Sequence, residues 1–219
     1  MKIALDCDEV ILDTIRAGKA FYLAEIDPSA DIPDDLYSSA WPVWGDDAAE
    51  AREKWRGFRD TFTHSEYFKT IPPLPGAAEG VRRIKNMGHS IFVLSAAGGD
   101  PEIQRSRAEA LVRLCGEDAF DDIICIDYFQ SKADKLAEMG ADVLIDDGLS
   151  NISHAIESGM RGILVRVAQN AKLIDDMLAG KSVDIAFWHF DDEHSKLVRE
   201  KAAIADGWPE ITVAVENMQ

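Results

Sequence analysis

The chain has 219 residues, a formal net charge of −17 and 47% hydrophobic residues, enough for one core and a subdomain. No apolar run reaches the roughly 18 residues of a membrane span, and no basic stretch could replace the counterions of a nucleic acid. The N-terminus enters a predicted strand directly, and three cysteines show no paired spacing. We therefore expect a cytoplasmic protein that binds neither a membrane nor a nucleic-acid polymer.

The predicted elements alternate between strands and helices along the chain. Short, mostly β-branched apolar runs suit parallel strands that are covered on both faces. These runs are residues 3–5, 91–94, 123–126, 143–145 and 163–167. A glycine ends the helical segment before each of the last four strands. The pattern predicts an α/β fold with a doubly wound, parallel, five-stranded Rossmann-like sheet, in which ligands bind beyond the carboxyl ends of the strands.

The connection between the first and second predicted strands is far longer than one crossover needs. Its residues 14–74 carry most of the aromatic side chains, and the prolines of IPPLPG mark the return to the sheet. We predict a catalytic core of residues 1–13 and 75–219 with a small helical cap of residues 14–74. Most cap aromatics are expected to hold the cap together. The candidate substrate contacts among them are Trp41, Trp44, Trp55 and Phe68.

Polar residues stand where predicted strands end or where the next helix begins. They are Asp6, Asp8, Ser95, Lys132, Asp146 and Asp147. Asp6 can act as an in-line nucleophile that forms an aspartyl-phosphate. Asp8 could protonate the leaving oxygen and then deprotonate water. Each residue alone is a weak signal, because a DxD sequence can be a solvated turn and a serine after a strand is common. Their joint order predicts a site for phosphoryl transfer.

The four aspartates, Asp6, Asp8, Asp146 and Asp147, would repel one another unless a hard cation such as Mg²⁺ held them together. Ser95 offers a hydroxyl, and the backbone N–H groups that follow it, beginning at Ala96, can bind phosphate oxygens. Lys132 adds a positive charge at a helix start. Lys135 competes for this role. We prefer Lys132, because it precedes the point where the helix turns away from the sheet.

At these residues the chain resembles the haloacid dehalogenase-like superfamily of aspartate-nucleophile phosphohydrolases. Asp6 and Asp8 match the first motif, Ser95 the second, Lys132 the third and Asp146-Asp147 the fourth. The resemblance implies that Asp6, the backbone carbonyl of Asp8 and Asp147 bind Mg²⁺ with Asp146 beside it. It also implies that Ser95 and Lys132 hold the phosphoryl group. Asp8 argues against a dehalogenase, whose chemistry has no leaving oxygen to protonate.

Two stretches, residues 68–97 and 141–152, are similar to 5′-nucleotidases of the deoxyribonucleotidase type, in which cap aromatics stack against the base. This resemblance implies a nucleoside monophosphate as substrate. Glu9 stands where those nucleotidases often have a small residue, so we expect an altered pocket beside the nucleophile. The alternative substrate is a sugar phosphate or another small phosphorylated metabolite. The sequence is compatible with a homodimer but identifies no dimer surface.

Two other classes of protein use similar residues. Receiver domains place the acidic pair at the first strand and the phosphate-accepting aspartate in mid-chain, which is the opposite order. A non-catalytic binding protein remains an alternative, although no residue required for turnover is missing. Residues 189–194, HFDDEH, have metal-ligand types but are interpreted as a solvated acidic loop. His64, His89 and His154 are isolated in the sequence.

Overall fold

A computed structural model describes residues 1–36, 38–128, 130–183 and 191–218. Its strands are β1 (Lys2–Leu5), β2 (Ser90–Ser95), β3 (Asp122–Cys125), β4 (Val143–Asp146), β5 (Arg161–Val165) and β6 (Ala203–Ala205). They form one parallel sheet in the order β3-β2-β1-β4-β5-β6. The predicted α/β class and doubly wound parallel sheet are confirmed. The predicted strand number is one too low, because β6 has only three residues and lacks a long apolar run.

Helices cover both faces of the sheet. They are α1 (Thr14–Glu25), α2 (Ala48–Thr63), α3 (Glu66–Lys69), α4 (Ala77–Asn86), α5 (Pro101–Cys115), α6 (Lys132–Met139), α7 (Leu149–Glu157), α8 (Ala171–Leu178), α9 (Asp192–Lys201) and α10 (Trp208–Asn217). Gly140 ends α6 at a φ of 62°, a left-handed conformation that glycine adopts without strain. None of the described helices combines the length and the apolarity needed to cross a bilayer.

The segment between β1 and α4 is largely helical, as the predicted insertion requires. It contains α1, α2, α3 and the short 3₁₀ helices Ser38–Ala40 and Pro42–Trp44. Phe58 lies at the centre of its aromatic cluster, with ring centroids 5.5 Å from Trp41 and 5.3 Å from Trp44. Trp41 and Trp44 stack on each other at 5.8 Å. These rings therefore stabilise the insert, and the exact division into cap and core stays a prediction.

The last helix, α10, anchors the loop that follows the first strand. Trp208 is buried, and its indole N–H donates to the backbone oxygen of Val10 over 2.8 Å. Gly80 on α4 allows this packing, because a Cβ atom there would lie 2.1 Å from the Trp208 ring. Ile211 is also fully buried. The chain beyond β5 thus contributes directly to the position of the loop beside the predicted nucleophile.

Candidate active site

The sheet topology brings three predicted residues together at its carboxyl edge. β1 lies between β2 and β4, with Leu5 opposite both Val93 and Ile145. Asp6 follows β1, and its backbone N–H donates to the oxygen of Ile145 over 2.9 Å. The strands that end in Ser95 and Asp146 flank it. This is the switch in strand order at which doubly wound sheets bind their ligands.

Lys132 lies at the first turn of α6 and bridges two of the carboxylates. Its Nζ atom is 2.8 Å from Oδ2 of Asp6 and 2.8 Å from Oδ2 of Asp146. Burial alone would lower the pKa of Lys132, but Asp146 and Asp6 outweigh that effect and raise it. Lys135 instead pairs with Glu138 at the surface, over 2.9 Å. Of the two candidate lysines, Lys132 is the one that contacts the predicted catalytic aspartates.

Asp6, Asp146 and Asp147 form a buried acidic group in which one oxygen from each lies within 4.8 Å of the others. Burial raises the pKa of Asp6 to about 7, with Lys132 opposing the rise and Asp146 adding to it. Burial, with Asp146 and Asp6, also raises the pKa of Asp147 well above its ordinary value. The three carboxylates and one ammonium carry two excess negative charges when ionised, which matches one divalent cation. An all-oxygen, buried donor set of this kind fits Mg²⁺.

Asp146 is held in place by the start of α7. Its Oδ1 atom accepts the backbone N–H of Gly148 over 2.7 Å and an amide hydrogen of Asn151 over 3.0 Å. Charge-assisted hydrogen bonds of this kind fix both the position and the charge of a carboxylate. Asn151 was not predicted as a functional residue. Its place in the first turn after the acidic pair is the signal that would have identified it.

Ser95 is fully buried at the end of β2, and its hydroxyl has no hydrogen-bond partner among the described residues. Buried polar atoms are nearly always paired, so this hydroxyl has a hydrogen bond left to make with a ligand or a water. A phosphate oxygen is an acceptor that suits it. Ala96, the next residue, lines the adjacent cavity. Ser95 and Ala96, two of the three predicted phosphate-binding residues, therefore lie at the sheet edge where Asp6 is found.

Asp8 lies apart from the acidic group and has different partners. Its carboxylate accepts the Thr14 hydroxyl and pairs with Arg107, whose Nη2 atom is 2.8 Å from Oδ1. The Arg107 guanidinium lies 4.6 Å from the centre of the Phe68 ring. The Asp8 carboxylate therefore does not join the oxygens of the acidic group. Its backbone carbonyl remains the metal ligand that the family resemblance implies.

Arg107 is a residue that the sequence analysis missed. Only 3% of its side chain is exposed, and its Nε and Nη1 atoms have no hydrogen-bond partner among the described residues. It shares the buried face of α5 with Ile103 and Leu111. The sequence signal that could have revealed Arg107 is its spacing, which places it among the apolar residues of one helix face. A buried arginine needs an anionic or aromatic partner.

A cavity of about 110 Å³ lies between the insert and the sheet edge. Its walls include Asp8, Thr14, Ser38, Trp55, Phe58, Arg59, Phe62, Phe68, Ala96, Arg107 and Tyr128. Arg59 closes one side, with its guanidinium 4.3 Å from the centre of the Tyr128 ring. Of the four predicted cap contacts, Trp55 and Phe68 line this cavity. Trp41 and Trp44 do not, because they are buried within the aromatic cluster of the insert.

Glu9 does not line the cavity, although it follows Asp8 directly. Its backbone has a φ of 57°, and its side chain accepts the backbone N–H of Ile15 over 2.8 Å at the start of α1. Burial raises the pKa of Glu9 to about 8, even though the hydrogen bond from Ile15 opposes the rise. The residue expected to alter the pocket beside the nucleophile therefore caps a helix of the insert.

No protein-family model matches the chain, and no curated protein matches it in sequence. Solved structures do match in fold. A haloacid dehalogenase from Xanthobacter autotrophicus, with chloropropionic acid covalently bound, is 12% identical with a TM-score of 0.58. This alignment covers 100% of the present chain and 99% of the dehalogenase.

A HAD family hydrolase from Deinococcus radiodurans with bound phosphate and sodium is 13% identical, with a TM-score of 0.57. The alignment covers 99% of the present chain and 95% of that hydrolase. A predicted phosphoglycolate phosphatase from Haemophilus somnus is 12% identical (TM-score 0.59), with coverage of 100% and 97%. Identities this low establish structural similarity alone. The chain has the fold of the haloacid dehalogenase-like hydrolases.

Proposed function

We propose that this protein is a Mg²⁺-dependent phosphomonoesterase that hydrolyses a small phosphorylated metabolite through a covalent intermediate on Asp6. The observation that carries the proposal is the contact of Lys132 with both Asp6 and Asp146 beside a third buried carboxylate. A nucleophile, a cation for the phosphoryl group and a site for a divalent metal then occupy one edge of the sheet. The unpaired Ser95 hydroxyl lies at the same edge.

In the first step, a carboxylate oxygen of Asp6 attacks phosphorus while the bond from phosphorus to the leaving oxygen breaks. Asp8 donates a proton to that oxygen, which departs as an alcohol. In the second step, Asp8 accepts a proton from water, and the water oxygen attacks phosphorus. The bond from Asp6 to phosphorus breaks, which releases inorganic phosphate and restores the carboxylate.

Mg²⁺, when bound by Asp6, Asp147 and the carbonyl of Asp8, supplies a Lewis acid for the phosphoryl oxygens. The protein contributes the fixed positions of its own groups. Lys132 holds Asp6 at one oxygen, and the backbone N–H of Cys7 donates to the other over 2.7 Å. Arg107 and Thr14 hold Asp8 in the wall of the cavity. Such preorganisation supplies most of the stabilisation in phosphoryl transfer.

The cavity beside Asp8 has room for a small substrate, although Asp6 is not among its walls. A volume of about 110 Å³ is well below the roughly 300 Å³ at which ligand pockets usually begin. The similar structure from Deinococcus radiodurans contains phosphate, and the one from Haemophilus somnus carries the name of a phosphoglycolate phosphatase. The Arg107 guanidinium in the cavity wall would suit an anionic group of such a substrate. We therefore favour the small metabolite over the nucleotide as substrate.

A nucleoside monophosphate is the second candidate substrate. The observation that favours it is the pair of aromatic side chains, Trp55 and Tyr128, in the wall of the cavity. A base can stack on such rings. The described cavity would have to widen to admit a base and a sugar, which makes this candidate testable by comparing substrates of different size.

The test is phosphate release from a panel of small phosphomonoesters, sugar phosphates and nucleoside 5′- and 3′-monophosphates, with Mg²⁺ or EDTA. We expect Mg²⁺-dependent release, concentrated on the small compounds. Asp6→Asn should lower kcat by at least about 10³-fold, because it removes the nucleophile. Release that favours nucleotides would select the second candidate. Release from nothing in the panel, or equal release by Asp6→Asn, would refute the proposal.

A further inference from the structure

A second cluster of ligand-type side chains joins α7 to α9, outside the acidic group. His154 and Glu157 are three residues apart, and therefore lie on one face of α7. His194 faces them from the first turn of α9. One ligand atom from each of the three residues lies within 4.8 Å of the other two. Residues 189–190 of the HFDDEH stretch lie outside the described residues. Its His194 belongs to a helix and not to the expected acidic loop.

We propose that His154, Glu157 and His194 bind a divalent transition metal of the Zn²⁺ class. The Nε2 atom of His194 is 3.6 Å from Oε1 of Glu157. Ligand atoms about 2.0–2.1 Å from a tetrahedral Zn²⁺ ion are about 3.3 Å apart, which is close to this distance, and the His154 ligand atom lies within 4.8 Å of the other two. The His154 and His194 rings are 5.9 Å apart at an interplanar angle of 87°. Neither ring stacks on the face of the other.

Asp191 orients the histidine of α9 as a carboxylate does in zinc proteins. Its Oδ1 atom is 2.7 Å from Nδ1 of His194 and also accepts the backbone N–H groups of Glu193 and His194. A carboxylate in this position fixes the tautomer that carries hydrogen on Nδ1. The Nε2 atom, which would bind the metal, lies on the side of Glu157. The metal ligand therefore has a positioned partner behind it.

The end of α7 also favours a cation. His154 and Glu157 lie in the last turn of the helix, where the helix dipole is negative. Two imidazoles and one carboxylate suit Zn²⁺, whereas Mg²⁺ prefers oxygen ligands alone. The chemistry of this cluster therefore differs from that of the all-oxygen acidic group. The inference does not rest on the proposed phosphatase activity.

A metal at this place would brace the helix that supports the acidic group. The first turn of α7 holds Asp146 through Gly148 and Asn151, and its last turn carries two of the proposed ligands. Binding would tie that last turn to α9. Because a ligand that binds only the folded state stabilises it, we expect the metal to raise the midpoint of thermal unfolding.

The experiment is a titration of the full, EDTA-stripped chain with Zn²⁺ in millimolar Mg²⁺, which competes for the all-oxygen acidic group. We expect one equivalent to bind with micromolar or tighter affinity. Co²⁺ should give the visible absorption of a tetrahedral site. The His154→Ala and His194→Ala variants should each weaken Zn²⁺ binding by at least about 10-fold.

His64→Ala is the matched control, because His64 is a half-exposed histidine of the insert that pairs with Asp100. It should bind Zn²⁺ as the native chain does. Native protein that binds less than one equivalent at micromolar Zn²⁺ would overturn the proposal, and so would binding that persists in both histidine variants. The first of these outcomes is measured on native protein, so a folding defect in a variant cannot obscure it.

Discussion

The carboxyl edge of the sheet and the interior of the insert are both buried, but their side chains are satisfied to different degrees. In the insert, Trp41, Trp44 and Phe58 meet one another in mutual ring contacts. At the sheet edge, the carboxylates exceed the cations that face them, and the Ser95 hydroxyl has no described partner. The rings of the insert pack against one another, although the indole N–H of Trp41 has no hydrogen-bond partner among the described residues. The sheet edge needs a cation and an anion.

This difference indicates that the insert mainly determines stability and the sheet edge mainly determines activity. Aromatic packing is complete without a ligand, so its loss should change stability more than chemistry. Buried carboxylates without a bound cation destabilise the folded state. Replacing one of them should therefore lower activity and can even stabilise the chain. Arg107 joins the two regions at the cavity, where it contacts Asp8 of the sheet edge and Phe68 of the insert.

The largest effect should come from a comparison of Lys132→Met with Lys135→Met. Lys132 contacts Asp6 and Asp146, whereas the ion-pair partner of Lys135 among the described residues is the exposed Glu138. We expect Lys132→Met to lower kcat/KM for a phosphomonoester by about 10²–10³-fold, because it removes a preorganised charge. Lys135→Met should change it less than 2-fold, by about 0.4 kcal/mol or less. Equal losses in steady-state assays of the two variants would contradict the placement of Lys132.

Arg107→Met tests the junction of the two regions. It leaves Asp8 with Thr14 as its remaining described side-chain partner and removes the donors in the cavity wall. We expect kcat/KM to fall by about 10–10²-fold through misplacement of Asp8. Arg107→Lys should restore only part of the activity, since an ammonium lacks the planar guanidinium that packs on Phe68. Full activity in both variants would show that Arg107 has only a structural role.

Two glycine-to-alanine substitutions compare a tightly packed position, Gly80, with an open position of the insert, Gly57. An added Cβ atom at Gly80 would lie 2.1 Å from the Trp208 ring, whereas at Gly57 in α2 it would meet nothing within 4 Å. We expect Gly80→Ala to lower the free energy of unfolding by about 1–3 kcal/mol through overpacking. Gly57→Ala should raise it by up to about 1 kcal/mol through helix propensity. Denaturant unfolding of both variants in EDTA provides the comparison, and an unaffected Gly80→Ala would refute the close packing.

Glu9→Gln tests the buried carboxyl group that caps α1. The folded pKa of Glu9 is about 8, above the ordinary value of 4.5, so the folded state retains a proton that the unfolded state releases. Native stability should therefore fall as pH rises from about 4.5 to about 8. The Gln variant lacks this ionisation. In EDTA we expect its advantage over the native chain to grow by at least about 1 kcal/mol between pH 5 and pH 8.

Glu9→Ala is the control for that experiment, because it removes both the charge and the acceptor for the Ile15 N–H. Relative to Glu9→Gln, it should lose the stabilisation of a helix cap, about 0.5–2 kcal/mol, at both pH values. Unfolding curves at the two pH values distinguish the variants. An advantage of Glu9→Gln that stays constant with pH would contradict the raised pKa.

The sequence predicted those parts of the molecule that depend on local periodicity. Apolar runs located the first five strands, and the rule that parallel strands end at one edge brought Asp6, Ser95 and Asp146 together. Arg107 was missed because its partner, Asp8, is 99 residues away in the chain. The strand β6 was missed because three residues give no periodic signal.

The cap contacts show the same limit on sequence-based prediction. Composition revealed an aromatic insert, but it could not distinguish rings that face the cavity, such as Trp55, from rings that face one another, such as Trp41 and Trp44. Likewise, His154 and His194 are 40 residues apart in sequence, and only the packing of α7 on α9 brings them together. Side-chain direction within a long insert and contacts between distant helices are set by tertiary packing.

The hydrogen bond from Trp208 to Val10 has a consequence for the timing of synthesis. Its partners are 198 residues apart, so at roughly 5–20 residues per second a ribosome completes Val10 about 10–40 s before it adds Trp208. During that interval the loop beside Asp6 lacks the indole that fixes it, and the groove of α4 at Gly80 is unfilled. Catalytic competence is therefore expected only after α10 has left the ribosome, and a nascent chain should acquire it in a single late step.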